Sequence, residues 1–198
     1  TGQILAMASQ PKYDQANFAD YETYLYKNPV VSDTFEPGSI MKTLTVSAGI
    51  DAGKITPDTT CPVCDQPRRI GGYTIRTWND VYNPDISMRD ALAKSDNTAM
   101  IFVAEQLGVE NFQTYLKKFG IGEPINIDLQ EDTATPFPTK WGPVELATRS
   151  FGQGITTTSL QMMRAVSAIA NQGVMMQPQI VKEVVTPTGD VISIEPTV

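Results

Sequence analysis

Phe35-Glu36-Pro37-Gly38-Ser39-Ile40-Met41-Lys42, FEPGSIMK, runs without a break into Thr43-Leu-Thr-Val-Ser-Ala-Gly-Ile50. A Pro-Gly pair just ahead of an apolar run marks a helix start, and the pattern predicts a helix over Ile40 to Ile50. Positions i and i+3 of a helix lie about 60° apart in azimuth and about 4.5 Å apart in height, so Ser39 and Lys42 share one face. That helix is apolar on most sides and is expected to be buried. A lysine of ordinary pKa leaves only about one molecule in 2,500 neutral at pH 7. Burial and the positive end of the helix dipole both oppose an ammonium there. A neutral Lys42 could take the Ser39 proton and make Ser39 a nucleophile. Ser-x-x-Lys is a weak pattern by itself, and it recurs at Ser9 to Lys12, where Pro11 interrupts any helix.

Composition narrows the choices. A chain of 198 residues with 41% hydrophobic content can form one domain, or a large portion of a bigger one, around a real core. The formal charge of -7, with no basic cluster, argues against nucleic acid and against an anionic membrane surface as partners. No apolar run approaches the ~18 to 20 residues of a membrane span, and no signal-like N-terminus is present; an anchor, if there is one, is expected outside this sequence. Histidine is absent. That excludes Ser-His-Asp and Cys-His catalysis and most imidazole metal sites, so a serine nucleophile here must use lysine. Cys61-Pro-Val-Cys64 is the one cysteine pair. A local disulfide or two structural thiols suits its turn-rich setting better than a redox or zinc site.

The remaining elements follow from pattern. Gly2 to Ser9 reads as a buried strand and Gln10 to Thr34 as a surface connection. Gly53 is a plausible stop for the Ser39 helix. Gly71-Gly72 precedes a short strand, Tyr73-Thr74-Ile75, and Trp78 and Tyr82 are taken as packing residues. Ser87-Met-Arg-Asp90 is a capping box opening a helix that breaks at Lys94-Ser95-Asp96-Asn97. A second helix begins at Thr98 and runs to Gly108, and another spans Asn111 to Phe119. Ser95, Asp96 and Asn97 thus fall between two helices, where the plain reading is an N-cap. Glu145 to Phe151 is a short helix, Gly152-Gln153-Gly154 a tight turn, and Ser159 to Asn171 a helix burying Leu160, Met163, Val166, Ile169 and Ala170. Gln179 to Val185 and Asp190 to Ile194 form a hairpin.

FEPGSIMK followed by Ser95-Asp96-Asn97 resembles the first two signatures of the penicillin-recognising serine transpeptidases and β-lactamases. GQILAMAS, NPVVSDTFEPGS, GGYTIRTW, ALAKSDNTAM and ELATRSFGQGITTTSLQMMRAVSAIANQG together resemble the transpeptidase domain of a class B penicillin-binding protein. The resemblance implies an α/β (α+β) fold of β-lactamase/transpeptidase type, here mostly the helical subdomain with an incomplete antiparallel sheet. It implies a D,D-transpeptidase of peptidoglycan cross-linking. Ser39 would be the acylated nucleophile, Lys42 its activator and Ser95 a proton relay toward the leaving amine. Asn97 would hydrogen-bond the substrate amide, and Asp96 has no assigned role. The implied partners are the peptidoglycan stem peptide, β-lactams and cell-wall synthesis or division proteins, with no metal or organic cofactor. The implied location is extracytoplasmic, with any membrane anchor outside this sequence.

The family's third signature, Lys followed by Ser or Thr and then Gly, is absent. Lys42-Thr43 is followed by Leu44, and Thr188-Gly189 is preceded by Pro187. In the family that strand supplies half of the oxyanion hole, and losing one such donor in a hydrolase costs about 100- to 1,000-fold in rate. Residues 1–198 are therefore expected to be a partial domain lacking its first strand and its C-terminal strands, with impaired activity. The alternatives are a penicillin-sensing receptor or serine β-lactamase, and a non-catalytic envelope scaffold.

Overall fold

The computed structural model describes residues 2–129 and 135–198. Its helices are α1 (Pro29–Ser32), α2 (Met41–Asp51), α3 (Met88–Ala93), α4 (Asn97–Lys118), α5 (Pro143–Arg149) and α6 (Ser159–Ala170). Its strands are β1 (Thr34–Phe35), β2 (Thr60–Cys61), β3 (Arg68–Ile70), β4 (Tyr73–Ile75), β5 (Ile86–Ser87), β6 (Thr157–Thr158), β7 (Glu183–Val185) and β8 (Val191–Ser193). Among the described residues the strands pair antiparallel two by two, as β1 with β6, β2 with β5, β3 with β4 and β7 with β8. The fold is mixed α/β, with helices supplying the core.

Helix α2 is the central element. Met41, Lys42, Leu44, Thr45, Val46, Ala48 and Gly49 are all buried, which covers every side of the helix, as its nearly uniform apolar composition predicts. It packs on α4, and both helices contribute to one core that includes Met41, Leu44, Met100 and Val103. A Cβ on Gly49 would stand 2.7 Å from Val103 Cγ1 and 2.9 Å from Ile55 Cδ1, so glycine sets how closely α2 and α4 approach. The helix stops where expected: the Gly53 amide donates to Ile50 O at 2.9 Å, and Gly53 lies in the left-handed region at φ +64. Helix α4 is interrupted at Gly108 (φ +74), so the two helical runs expected on either side of that glycine form one element with a break inside it. Ser87 caps α3 as its capping box predicts, its Oγ accepting from the Asp90 amide at 3.1 Å.

Several expectations need correction. Gly2 to Ser9 is not a strand. Gln3 makes one parallel bridge to Gln179, Ile4 and Met7 turn inward, and Leu5 is 92% exposed. Among the described residues it finds a backbone partner only near Gln179, and a single bridge cannot make a ladder. Helix α5 begins two residues earlier than expected. Pro143 fits the first helical position because its missing N–H is one of the groups a helix start leaves unpaired, and Glu145 Oε2 accepts from the Gly142 amide at 3.0 Å.

The buried face of α6 is rotated from the expected one. Leu160, Gln161, Met162, Ala165 and Ala168 are inside, and Met163 is 65% exposed. Buried Gln161 sets this rotation. Its Oε1 accepts from the Thr158 amide at 2.9 Å, and its Nε2 donates to Glu123 O at 2.7 Å, so a polar residue that periodicity would place outside is satisfied within. Trp78 is not a packing residue: it is 76% exposed, with Nε1 3.4 Å from Lys94 O. Tyr82 is half-buried and donates to Asp80 Oδ1 at 2.9 Å.

Cys61 and Cys64 form a disulfide, and both are fully buried. Gly71 and Gly72 (φ +55 and +85) make the tight turn between β3 and β4, the double positive-φ geometry that two-residue hairpins favour. Strands β7 and β8 form the expected hairpin, shorter than its sequence pattern, with every strand residue exposed. Among the described residues no helix is long and apolar enough to cross a membrane.

Candidate active site

Ser39 lies in a single 3-10 turn, Gly38–Ile40, that leads directly into α2. The turn leaves Ser39 exposed while Lys42, one position into α2, is only 2% exposed. The predicted sharing of a face holds, with the serine at the mouth and the lysine beneath it.

Ser95 comes from the opposite side, in the connection between α3 and α4. The Lys94 amide donates to Asp90 O at 2.8 Å, Ser95 to Leu92 O at 3.1 Å and Asp96 to Ala91 O at 2.9 Å, which closes the end of α3. This closure puts Ser95 at φ +55, a position that usually falls to glycine because a side chain there costs about 1 to 2 kcal/mol. A serine held there against preference presents its hydroxyl to Ser39. Asp96 then caps α4, its Oδ1 accepting from Thr98 N at 2.8 Å, Thr98 Oγ1 at 2.7 Å and Ala99 N at 3.2 Å. The plain N-cap reading therefore describes Asp96, while its two neighbours face the lysine.

The four predicted residues converge. Lys42 Nζ donates to Ser95 O at 2.7 Å, to Ser95 Oγ at 2.9 Å and to Asn97 Oδ1 at 2.7 Å. Ser95 Oγ donates to Ser39 Oγ at 3.1 Å. A continuous chain thus joins Lys42 Nζ to Ser39 Oγ through the Ser95 hydroxyl, rather than the direct contact that helical spacing suggested. Asn97 is held at both ends, because its Nδ2 donates to Arg76 O at 2.8 Å. One amide hydrogen and one lone pair of Asn97 remain for another molecule.

Burial pushes the Lys42 pKa down from 10.5 to about 8, and the negative charge of Asp96 opposes that fall. At pH 7 roughly one Lys42 in ten is then neutral, about 300 times the fraction for an unperturbed lysine. A lysine donating three hydrogen bonds is the ammonium form. Once it loses a proton it can accept one from Ser95 Oγ, and the hydroxyl rotors of Ser95 and Ser39 can reverse the direction of the chain. Such an arrangement can activate a serine without histidine.

Two contributors escaped sequence reasoning. The backbone carbonyl of Arg76, just past β4, carries no side-chain signal and becomes apparent only when the hairpin is laid beside Asn97. The charge of Asp96 was visible, but its effect on Lys42 depends on burial, since Asp96 is itself 2% exposed. Among the described residues no group of three or more His, Cys, Asp or Glu side chains is arranged to hold a metal ion.

Comparison with known proteins gives a consistent picture. The chain is 34% identical to stage V sporulation protein D of Bacillus subtilis over 189 residues, which covers 94% of this chain and 29% of that protein. It is 34% identical to penicillin-binding protein PbpB of Mycolicibacterium smegmatis over 200 residues, covering 96% of this chain and 30% of the relative. The probable peptidoglycan D,D-transpeptidase PenA of Neisseria gonorrhoeae is 32% identical over 199 residues, covering all of this chain and 34% of that protein. The chain thus spans about a third or less of the length of these relatives. Among solved structures, penicillin binding protein 3 from Mycobacterium tuberculosis in complex with aztreonam superposes with a TM-score of 0.82 at 30% identity, over 92% of this chain and 40% of that one. The sequence model of the penicillin binding protein transpeptidase domain matches residues 1–198 from end to end, and with the relatives and the fold in agreement the chain belongs to that family.

Proposed function

We propose that this chain carries the acylation machinery of a peptidoglycan D,D-transpeptidase, with Ser39 as nucleophile, Lys42 as base and Ser95 as proton relay. One observation carries the reading: a buried lysine with a lowered pKa is wired through one hydroxyl to an exposed serine at a helix start. Ser39 Oγ attacks the carbonyl of the penultimate D-alanine of a stem peptide, while its proton moves to Ser95 Oγ and the Ser95 proton to neutral Lys42 Nζ. The C–N bond then breaks. The departing D-alanine nitrogen takes a proton from Ser95 Oγ, which is resupplied by Lys42, and an ester remains on Ser39. A second strand's amine attacks that ester to give a cross-link, or water attacks it to give a free carboxylate. A β-lactam would follow the same first steps, its ring amide opening to leave a longer-lived ester.

The remaining donor and acceptor of Asn97 suit the amide backbone of such a peptide. An extracytoplasmic setting, with peptidoglycan and β-lactams as ligands and other cell-wall synthesis proteins as partners, belongs to the same reading. Residues 1–198 are read as a portion of a transpeptidase domain. Because they contain no Lys-(Ser/Thr)-Gly triplet, acylation by this chain alone is expected to be slow.

The test is release of D-alanine from an N-acylated peptide ending in D-Ala-D-Ala, with and without an amine acceptor. The proposal expects slow release that Ser39→Ala and Lys42→Ala both abolish. Release that persists in either variant would contradict it, and sustained hydrolysis of penicillin would point instead to a lactamase.

A further inference from the structure

The turn that presents Ser39 is tied to α2 at its end, where the Met41 amide donates to Gly38 O, but its start is loosely closed, since the bond from the Ile40 amide to Pro37 O is long at 3.4 Å. Hydrogen-bond geometry in a 3-10 turn is poorer than in an α-helix, so a holder outside the turn adds definition to its pose. Here the holder is the turn Gly152-Gln153-Gly154, more than a hundred residues away in sequence. The Gly38 amide donates to Gly152 O at 3.0 Å, and the Gly154 amide donates to Glu36 Oε1 at 2.8 Å. The two bonds run in opposite directions, one on each side of Pro37, so they fix both the position and the tilt of the segment before Ser39. Gly152 lies at φ +81, and a Cβ there would press on Gly38 O and stand 2.5 Å from Gly38 N and 2.8 Å from Gly38 Cα. No side chain fits without moving the backbone next to the nucleophile.

The far side of the glycine turn is also tied down. Buried Arg149 donates from Nε to Gly154 O at 3.0 Å and from Nη1 to Lys140 O at 2.5 Å, with its guanidinium 4.2 Å from the centre of the Trp141 ring. Thr45 Oγ1, on α2 beyond the nucleophile, donates to Ser150 O at 2.8 Å. The turn is therefore anchored to α5 and to α2 before it reaches Glu36 and Gly38.

We infer that Glu36 and Gly152 are positioning residues, forming a two-point clasp with Gly154 and Gly38 that holds Ser39 Oγ in line with the Ser95–Lys42 relay. The inference rests on the acyl-transfer reading above. Misplacing a reacting group by about 1 Å can cost about 100-fold in rate. The experiment measures the acylation rate of the full chain by a fluorescent penicillin over a range of pH, for the parent, Glu36→Ala, Glu36→Gln and Gly152→Ala, with a thermal melt of each. Glu36→Ala is expected to slow acylation about tenfold, the loss of one charge-assisted hydrogen bond. Glu36→Gln keeps an acceptor oxygen and should recover the rate to within about threefold of the parent. Gly152→Ala should slow acylation about 100-fold. In each case the loss should fall on the chemical step rather than on non-covalent affinity, with the midpoint of the pH profile unmoved.

Parent-like rates in both alanine variants would overturn the inference. If Gly152→Ala does not fold, the contrast between Glu36→Ala and Glu36→Gln decides. If the parent is itself never acylated, the functional reading falls, and amide hydrogen exchange judges the clasp: Glu36→Ala must speed exchange at Gly38, the other tether, and unchanged exchange there would overturn it.

Discussion

Lowering the Lys42 pKa to about 8 makes a quantitative claim about pH. If acylation needs neutral Lys42, its rate follows the neutral fraction, which is about 1% at pH 6, one half at pH 8 and about 90% at pH 9. The rate should therefore rise about 90-fold between pH 6 and pH 9 and then level off. An unperturbed lysine would behave differently, climbing almost 1,000-fold over the same interval and another several-fold to pH 10. The window above pH 9 separates the two. Stopped-flow acylation by a fluorescent penicillin, at saturating and at limiting concentration, gives the profile. Stability carries a matching sign. The folded pKa lies below the unfolded one, so between about pH 8 and 10.4 the unfolded chain binds more protons, and stability should rise with pH across that window. Below about pH 8 both states are protonated and Lys42 adds no slope. A flat rate profile, or one still climbing at pH 10, would refute the assignment of Lys42 as a buried base.

Three further outcomes follow. Asp96→Asn keeps the oxygen that caps α4 but removes the charge that holds the Lys42 pKa up, so the midpoint of the rate profile should move below 8 while a thermal melt changes little. Lys42→Met removes the amine that joins Ser95 and Asn97 while keeping an apolar chain of similar length, and it should abolish acylation. Gly49→Ala pushes a methyl into Val103 and Ile55 and should destabilise the α2–α4 contact by about 1 to 3 kcal/mol, read as a lower urea midpoint.

Local grammar makes the helices that frame the site legible in the sequence. Pro37-Gly38 marks the start of α2 and Ser87 to Asp90 that of α3, while the polar triplet between α3 and α4 reads locally as an N-cap, and only the resemblance to the transpeptidases assigns Ser95 and Asn97 to the site. The absence of histidine then leaves lysine as the candidate base. Long-range geometry was not legible. That Lys42 reaches Ser39 by way of Ser95 depends on the left-handed turn at Ser95, which no spacing rule predicts for a serine. The buried face of α6 was misplaced because Gln161 is paid for by partners at Glu123 and Thr158, distant or local in ways that periodicity does not register. Trp78 reads as a packing residue in the sequence, while the turn that carries it lies on the surface beside Lys94. The role of Gly152 was similarly hidden. The sequence shows a tight turn there, and only the fold brings Gly38 against it.

The central claim, that Ser39 is a nucleophile activated from Lys42, is tested most directly by the intact mass of the folded chain after incubation with a penicillin, with Ser39→Ala in parallel. The account predicts a gain of one penicillin mass on the parent, mapped by proteolysis to the peptide containing Ser39, and none on the variant. An adduct of equal yield on Ser39→Ala, or one mapped to another residue, would contradict it.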